Sequence, residues 1–529
     1  MSTSPFSIAG RMPKFHPTSI IDQEADSCGK PCLLMLFVGI SVLGLIIAAI
    51  KRVFLHSLSH IPGSKFAALT MWYEFYFDVF KQGQYIWQIQ DMHVKYGPIV
   101  RINPYEVHIK DSEFYDDLYC ANRKLDKYEW WCRCTGTMGS VFATVSHDHH
   151  RLRRAPLQPF FSARSVAQLE NQLKSKIDKL SARLSDLIEK NQVVRFDAAF
   201  MALTMDTISD YAFGKDSKCL DEPDLGVNWR EIMAGAVQCC PTLLQLPWLA
   251  SLAKKLPVSV VSAINHHFGL YLEFQSVARE NIRSIVEGKG EKPADGNGHP
   301  RTIFHAVLDS NLPAHEKTID RLCDEGSIIM LAGSETTAQN LGRLFFYLKH
   351  EPRVLAKVRQ ELDEAIPDPN QIPSWGALQQ LPYLSATIKE GIRMSYGVST
   401  RLPRISDVDI TYKGYIIPAG TPVSSTPLFV LTDPALFPQP ETFRPERWIE
   451  AAKTLDKYFV AFNKGSRQCL GINLAYSEIY LTVATLVRRF DWEMYETTLH
   501  DVVCKHDFMV PGTKLDSKGV RGKITARRL

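Results

Sequence analysis

The longest apolar stretch in the chain runs from Pro31 to Ile50, "PCLLMLFVGISVLGLIIAAI", 20 residues without a charge. That is the length a helix needs to cross the hydrocarbon core of a bilayer. Lys51 and Arg52 follow at once, whereas Asp22, Glu24 and Asp26 lie upstream beside Lys30. The positive-inside rule then puts the C-terminal side in the cytosol. A cleaved signal peptide fits less well, because a long polar stretch precedes the run and the run exceeds a signal core. A buried helix fits less well still, since the run has no polar face. The expected organisation is a lumenal tail over 1–30, a transmembrane anchor over 31–50, a linker over 51–65 and one body over 66–529.

Within the body the hydrophobic period changes along the chain. "GPIVRINPYEVHIKD" reads as a hairpin, two Val/Ile-rich runs broken by Asn103 and Pro104. From about Arg151 to Ile329 the pattern is mainly helical, with apolar residues at three- and four-residue steps in "SVAQLENQLKSKIDKLSARLSDLIEK". "EGKGEKPADGNGHPR", Glu287 to Arg301, reads as a polar, mobile loop. A long helix is expected from about Thr318 to Lys349. A small strand region returns at "VDITYKGYIIPAGTPVSS", with turns at Lys413-Gly414 and Ala419-Gly420. The fold class is mainly α with small β-sheets, without an internal repeat or a second domain.

Composition narrows the function classes. A net charge of +4 with no long basic run gives no footprint for nucleic acid. The 11 cysteines are odd in number and irregularly spaced, which argues against a disulfide framework. No N-x-S/T acceptor occurs. Both features suit a body facing the cytosol.

One cysteine stands in a distinctive setting, "FNKGSRQCLG", Phe462 to Gly471. From Leu470 onward the sequence reads as a helix with Ile472, Ala475, Ile479, Val483 and Leu486 on one face. Cys469 thus falls at a helix N-terminus, where unpaired N–H groups and the dipole favour a thiolate. A thiolate is a strong ligand for haem iron. Gly465 and Gly471 allow a tight turn and a close approach to a flat cofactor. Arg467 suits a haem propionate, and Phe462 suits packing under the ring. A structural cysteine before a helix is the bland alternative, which the surrounding spacing outweighs.

This loop resembles the haem-binding loop of the cytochrome P450 family. The family's usual second glycine is replaced by Asn463. Three further motifs match in family order across nearly the whole chain. "AGSETT", Ala332 to Thr337, resembles the oxygen-activating signature: Glu335 and Thr336 place an acid beside an alcohol for proton relay, and Gly333 leaves room for oxygen and loosens the helix. The competing reading is a helix in which a threonine bonds back to a carbonyl. "EGIR" followed by "FRPERW" resembles a structural Glu390–Arg393–Arg447 set behind the haem loop. "HHRLRRAPLQPFFS" resembles a helix that contacts the haem propionates through His150, where many members carry Trp, and Arg154. Arg404 of "RLPR" matches another propionate partner. Cys132 and Cys134 near His147, His149 and His150 do not have zinc spacing. Trp130 and Trp131 suit core and substrate pocket equally.

The resemblance implies a cytochrome P450 fold behind one N-terminal transmembrane helix. The haem is expected between the helix of Thr336 and the helix after Cys469. It implies heme b with Cys469 as axial ligand, O2 as oxidant, and monooxygenation of a lipophilic substrate. Electrons are expected from NADPH through a cytochrome P450 reductase docked near Lys464, with cytochrome b5 as a second donor, at the endoplasmic reticulum membrane. The chain is similar to filamentous-fungal members related to trichodiene oxygenase, which implies secondary metabolism, mycotoxins included, and terpenoid or polyketide substrates. Val398 to Thr400 with Leu402, and Phe508 to Val510, match pocket-lining stretches. The alternatives are a haem-thiolate isomerase or dehydratase, and a non-catalytic haem-binding membrane protein.

Overall fold

The computed structural model describes residues 21–288 and 302–528. Most of the expected tail, and all but the first two residues of the expected loop Glu287–Arg301, lie outside the described residues. The chain divides into two compact units after His60. The first carries helix α1, Ile21–Phe54. Its segment Leu33–Phe54 has a mean hydropathy of 2.9 and no buried residue. Among the described residues it is the one helix long and apolar enough to cross a membrane. It runs past Lys51 and Arg52, so the first residues of the expected linker are helical.

The second unit is mostly helical. Eight of its helices position the site: α2 (His147–Arg154), α3 (Glu170–Glu189), α4 (Phe196–Phe213), α5 (Val227–Gln238), α6 (His266–Val286), α7 (Ile319–His350), α8 (Pro382–Ser395) and α9 (Ile472–Arg489). The long helix expected from about Thr318 is α7, with bounds shifted by one residue. α4 is buried on nearly every side, which its run "FDAAFMALTM" allows, and it packs along α7. Gly333 of α7 is required at that contact, because a Cβ there would meet Ile208 Cγ1 of α4 at 2.6 Å. α7 is helical without interruption from end to end. The glycine therefore serves helix packing, and the expected local loosening at Gly333 does not occur.

The larger sheet has five short strands, β1 (Ile99–Arg101), β2 (Val107–Ile109), β3 (Asp126–Lys127), β4 (Arg404–Ile405) and β5 (Pro422–Ser424), in the order β1-β2-β5-β4-β3. β1 and β2 form the expected hairpin, closed by Asn103, whose Oδ1 accepts from the N–H groups of Tyr105 and Glu106 at 3.0 and 2.8 Å. That is an Asx turn, the local chemistry for which Asn is suited. The antiparallel pairing of β3 with β4 sets Lys127 opposite Arg404. A second hairpin, Ile410–Tyr412 with Tyr415–Ile417, turns at Lys413 and Gly414, both at positive φ. The strand Arg521–Arg527 lies between Val194–Arg195 and Phe490–Met494 and ties the C-terminus to the helical core.

Candidate active site

The loop from Phe462 to Gly471 is closed by the Cys469 N–H, which donates to the Phe462 carbonyl at 2.9 Å. Asn463 adopts φ +56°, the left-handed region, which Asn tolerates better than most side chains. It stands where the family pattern has a glycine, and its Oδ1 also accepts from Tyr115 Oη at 3.1 Å and Lys464 N at 2.7 Å. Gly465, at φ +70°, has no room for a Cβ: one would press on the Tyr119 carbonyl and lie 3.0 Å from the Cys120 carbonyl carbon. The close approach here is between two backbones, not to a cofactor. Gly471 has only ordinary contacts, with Phe161, and caps α9.

Cys469 lies two residues before that cap, so α9 begins later than its apolar pattern predicts. From Ser477 to Arg488 the helix is buried on all sides, not on one face. The thiol is exposed on one side and crowded by protein on the others. Burial pushes it above the usual cysteine range, outweighing the Gly471 N–H and the nearby Arg154 guanidinium, which pull it down. The expected thiolate stabilisation by the helix start is thus present but not dominant. A coordinated cation is what deprotonates such a sulfur.

Beside the loop sits a cluster of cationic and imidazole groups. Arg467 donates to the Thr144 and Val145 carbonyls at 2.6 and 2.7 Å, leaving its Nε unpartnered. Arg154 donates to the Gln468 carbonyl at 2.8 Å. Arg404 lies over the Tyr119 ring at 5.2 Å. His150 is buried with an unpartnered Nδ1, and burial and then Arg467 push its pKa to about 2. Lys127, not foreseen from the sequence, donates to the Phe142 carbonyl and lies 4.0 Å over the Phe142 ring. Burial above all, with the Arg404 and Arg467 guanidiniums beside it, lowers its pKa to about 7. Burial likewise takes Arg467 to about 10. Among the described residues none of these groups forms an ion pair. Buried like charges without counter-charge are costly, and a group carrying two carboxylates would relieve them. The residues present therefore fit haem: Cys469 for the iron, and Arg467, Arg404, Lys127, Arg154 and His150 for the propionates.

Without haem, Lys127 binds its proton less tightly folded than unfolded, so stability should rise with pH between about 7 and 10. Lys127→Met should flatten that rise, and haem loading should abolish it. Thermal unfolding of the haem-free and haem-loaded protein across this range measures both. A haem-free slope that survives in Lys127→Met would refute the assignment.

Thr336 and Phe462 line one cleft of about 40 Å³ together with Thr337, Ala475, Ile479 and Val510. This joins α7, the cysteine loop and α9, where the haem is expected. The Thr336 hydroxyl donates to the Ala332 carbonyl at 2.9 Å. Glu335 points elsewhere. Its buried carboxylate accepts from Arg230 at 2.9 and 3.0 Å and from Gln339 at 2.5 Å. It lines a separate cavity of about 400 Å³ with Arg230, Asp197 and Arg195. The structure does not bring Glu335 and Thr336 into one cavity, and Arg230 is a partner that an ordinary helical "NWREIM" does not announce.

Behind the loop, Glu390 is fully buried and accepts from Arg393 Nε and Nη2 at 2.9 Å each, from Arg447 Nε at 2.9 Å and from Trp448 Nε1 at 2.8 Å. Arg393 also donates to the Leu431 and Pro440 carbonyls at 2.8 Å. Lys464, expected to be open for docking, is engaged by the Asp116 carboxylate and the Lys457 carbonyl.

The sequence matches the cytochrome P450 family model over residues 68–518. It is 43% identical to the cytochrome P450 monooxygenase sdnE of Sordaria araneosa, over 94% of this chain and 99% of that one. It is 40% identical to the tryptophan 6-hydroxylase fscE of Fusarium equiseti, over 91% and 94%. It is 38% identical to the cytochrome P450 monooxygenase TRI4 of Fusarium sporotrichioides, over 86% and 88%, in line with the resemblance to relatives of trichodiene oxygenase. With its cysteine loop, cationic cluster and Thr336 cleft in family order, the chain belongs to the cytochrome P450 family of monooxygenases.

Proposed function

We propose that this monooxygenase inserts one atom of O2 into a lipophilic intermediate of fungal secondary metabolism, with electrons from NADPH through a flavoprotein reductase. The observation that carries this reading is the shared cleft of Thr336 and Phe462. The bound haem supplies reductive activation of O2. The chain supplies the proton path. Because the Thr336 hydroxyl donates into its own helix, its lone pairs are left to accept from the cleft side. Glu335, ion-paired with Arg230 at the wall of the separate polar cavity, lies off this cleft, so the relay rests on Thr336. The relatives' names support the class of pathway but include a tryptophan hydroxylase, so the terpenoid expectation is not favoured over an aromatic one.

Membrane apposition is supported by the body itself. Phe66, Trp72 and Phe80 are exposed, as are Trp248, Leu252 and Ile264. The two groups adjoin, since Gln245 donates to Glu74 at 3.2 Å between them. Such a surface suits a lipid interface, in keeping with anchoring in the endoplasmic reticulum and a cytosolic catalytic body. For reductase docking, exposed Arg151 and Arg164, without ion pairs among the described residues, replace Lys464 as the open cations.

Thr336→Ala tests the relay. Losing a positioned proton-transfer group lowers product formation by about a hundredfold or more, and NADPH consumption should persist as released peroxide. Thr336→Ser should retain coupling. Unchanged coupling in Thr336→Ala would overturn the role.

A further inference from the structure

Arg467 is aimed by two backbone carbonyls, those of Thr144 and Val145, at 2.6 and 2.7 Å. A planar guanidinium gripped at both Nη atoms points where those carbonyls put it. Lys127 depends on the same segment, since its ammonium donates to the Phe142 carbonyl. The stretch from Gly139 to Val145 is turn and loop, with no helix of its own to stiffen it. Its position is set from outside.

The support comes from α7. Glu325 is fully buried, and its two carboxylate oxygens accept from the Val141 N–H at 3.3 and 3.2 Å. Asp324 beside it accepts from the Gly139 N–H at 2.8 Å. The loop lies hard against the helix here, since a Cβ on Gly139 would stand 3.0 Å from Asp324 Oδ2 and 3.3 Å from the Arg321 Cα. One turn back, Arg321 pairs with Glu325 at 2.5 Å and approaches Glu316 at 3.4 Å. Glu316, also buried, accepts from Arg153 of α2 at 2.8 Å. Arg153 donates in turn to the Thr144 hydroxyl at 2.9 Å. Two routes therefore run from these acids to the carbonyls that hold Arg467, one through Val141 and one through Thr144. A buried carboxylate is costly unless it is paired and bonded, and both Glu325 and Glu316 are.

We infer that Glu325 is a positioning residue for the haem propionates: by fixing the loop over 139–145 it aims Arg467. Outer partners of this kind orient the side chains that touch a bound group. The same helix carries Thr336, about three turns further on, so one rigid element sets both the cleft and the propionate end of the site. This rests on reading Arg467 as a propionate partner.

The test is the rate at which the haem-loaded protein gives up its haem to excess apomyoglobin. Glu325→Ala should lose haem about tenfold faster than the wild type. Glu325→Gln, which keeps an acceptor for the Val141 N–H, should lie between. Arg467→Ala should itself lose haem faster, and adding Glu325→Ala to it should change the rate by less than about twofold, because the two act as one unit. If Arg467→Ala holds too little haem to measure, Arg467→Lys, which cannot grip both carbonyls, takes its place. If Glu325→Ala does not fold, Asp324→Ala, which frees the Gly139 N–H and leaves the Arg321–Glu325 pair intact, should give the same pattern. A general loosening of the protein would speed haem loss equally in both backgrounds. That result, or wild-type retention in Glu325→Ala, would overturn the inference. Wild-type retention in Arg467→Ala would instead defeat the propionate reading, and the inference with it.

Discussion

Glu390→Ala should abolish assembly of the haem-loaded protein. The carboxylate sits between Arg393 and Arg447, all three buried, and also accepts from the Trp448 indole. Its removal leaves two guanidiniums in the interior without a counter-charge. Breaking one buried pair in this way costs about 3–5 kcal/mol, and here two pairs share the one acid. A whole domain is stable by about 5–15 kcal/mol, so the loss consumes much of the margin. The damage is not confined to the pair. Arg393 holds the Leu431 and Pro440 carbonyls and Arg447 holds those of Pro438 and Thr442, so the segment leading to the cysteine loop is pinned through these side chains. Glu390→Gln, which retains an acceptor oxygen, should lose less. The measurement is the haem-loaded fraction of expressed protein, with the thermal midpoint. A near-normal loaded fraction in Glu390→Ala would show that the set is dispensable.

Local chemistry explains why much of this was legible in the sequence. The hairpin was announced by Asn103, whose side chain folds its own turn, and the second hairpin by Lys413-Gly414. α7 was predicted to within one residue at either end because its apolar period is long and sustained. The cysteine loop was legible because its residues are close in sequence. Where partners are distant, the sequence was silent. Lys127 looks like any loop lysine until strand pairing sets it opposite Arg404. Arg230 looks like a solvated helix residue until it closes on Glu335. Gly333 reads only as room for oxygen because Ile208, which it packs against, lies on another helix. Lys464 looks like an open cation in the sequence because Asp116, which engages it, is far away along the chain.

The second large effect is expected at Cys469. The residue is exposed on one side, and the bond that closes its loop uses the backbone N–H, which alanine retains. Cys469→Ala should therefore fold with little loss, as substitutions outside the core generally do. What it removes is the only sulfur in the loop, and with it the ligand that pushes electron density toward the iron. Monooxygenation should fall below detection. The most direct measurement is the absorption spectrum of the reduced, carbon-monoxide-bound protein, wild type beside Cys469→Ala. A strongly red-shifted Soret band in the wild type that vanishes in the variant is the predicted result. A band unchanged by the substitution, or no haem in well-folded wild-type protein, would contradict ligation by Cys469.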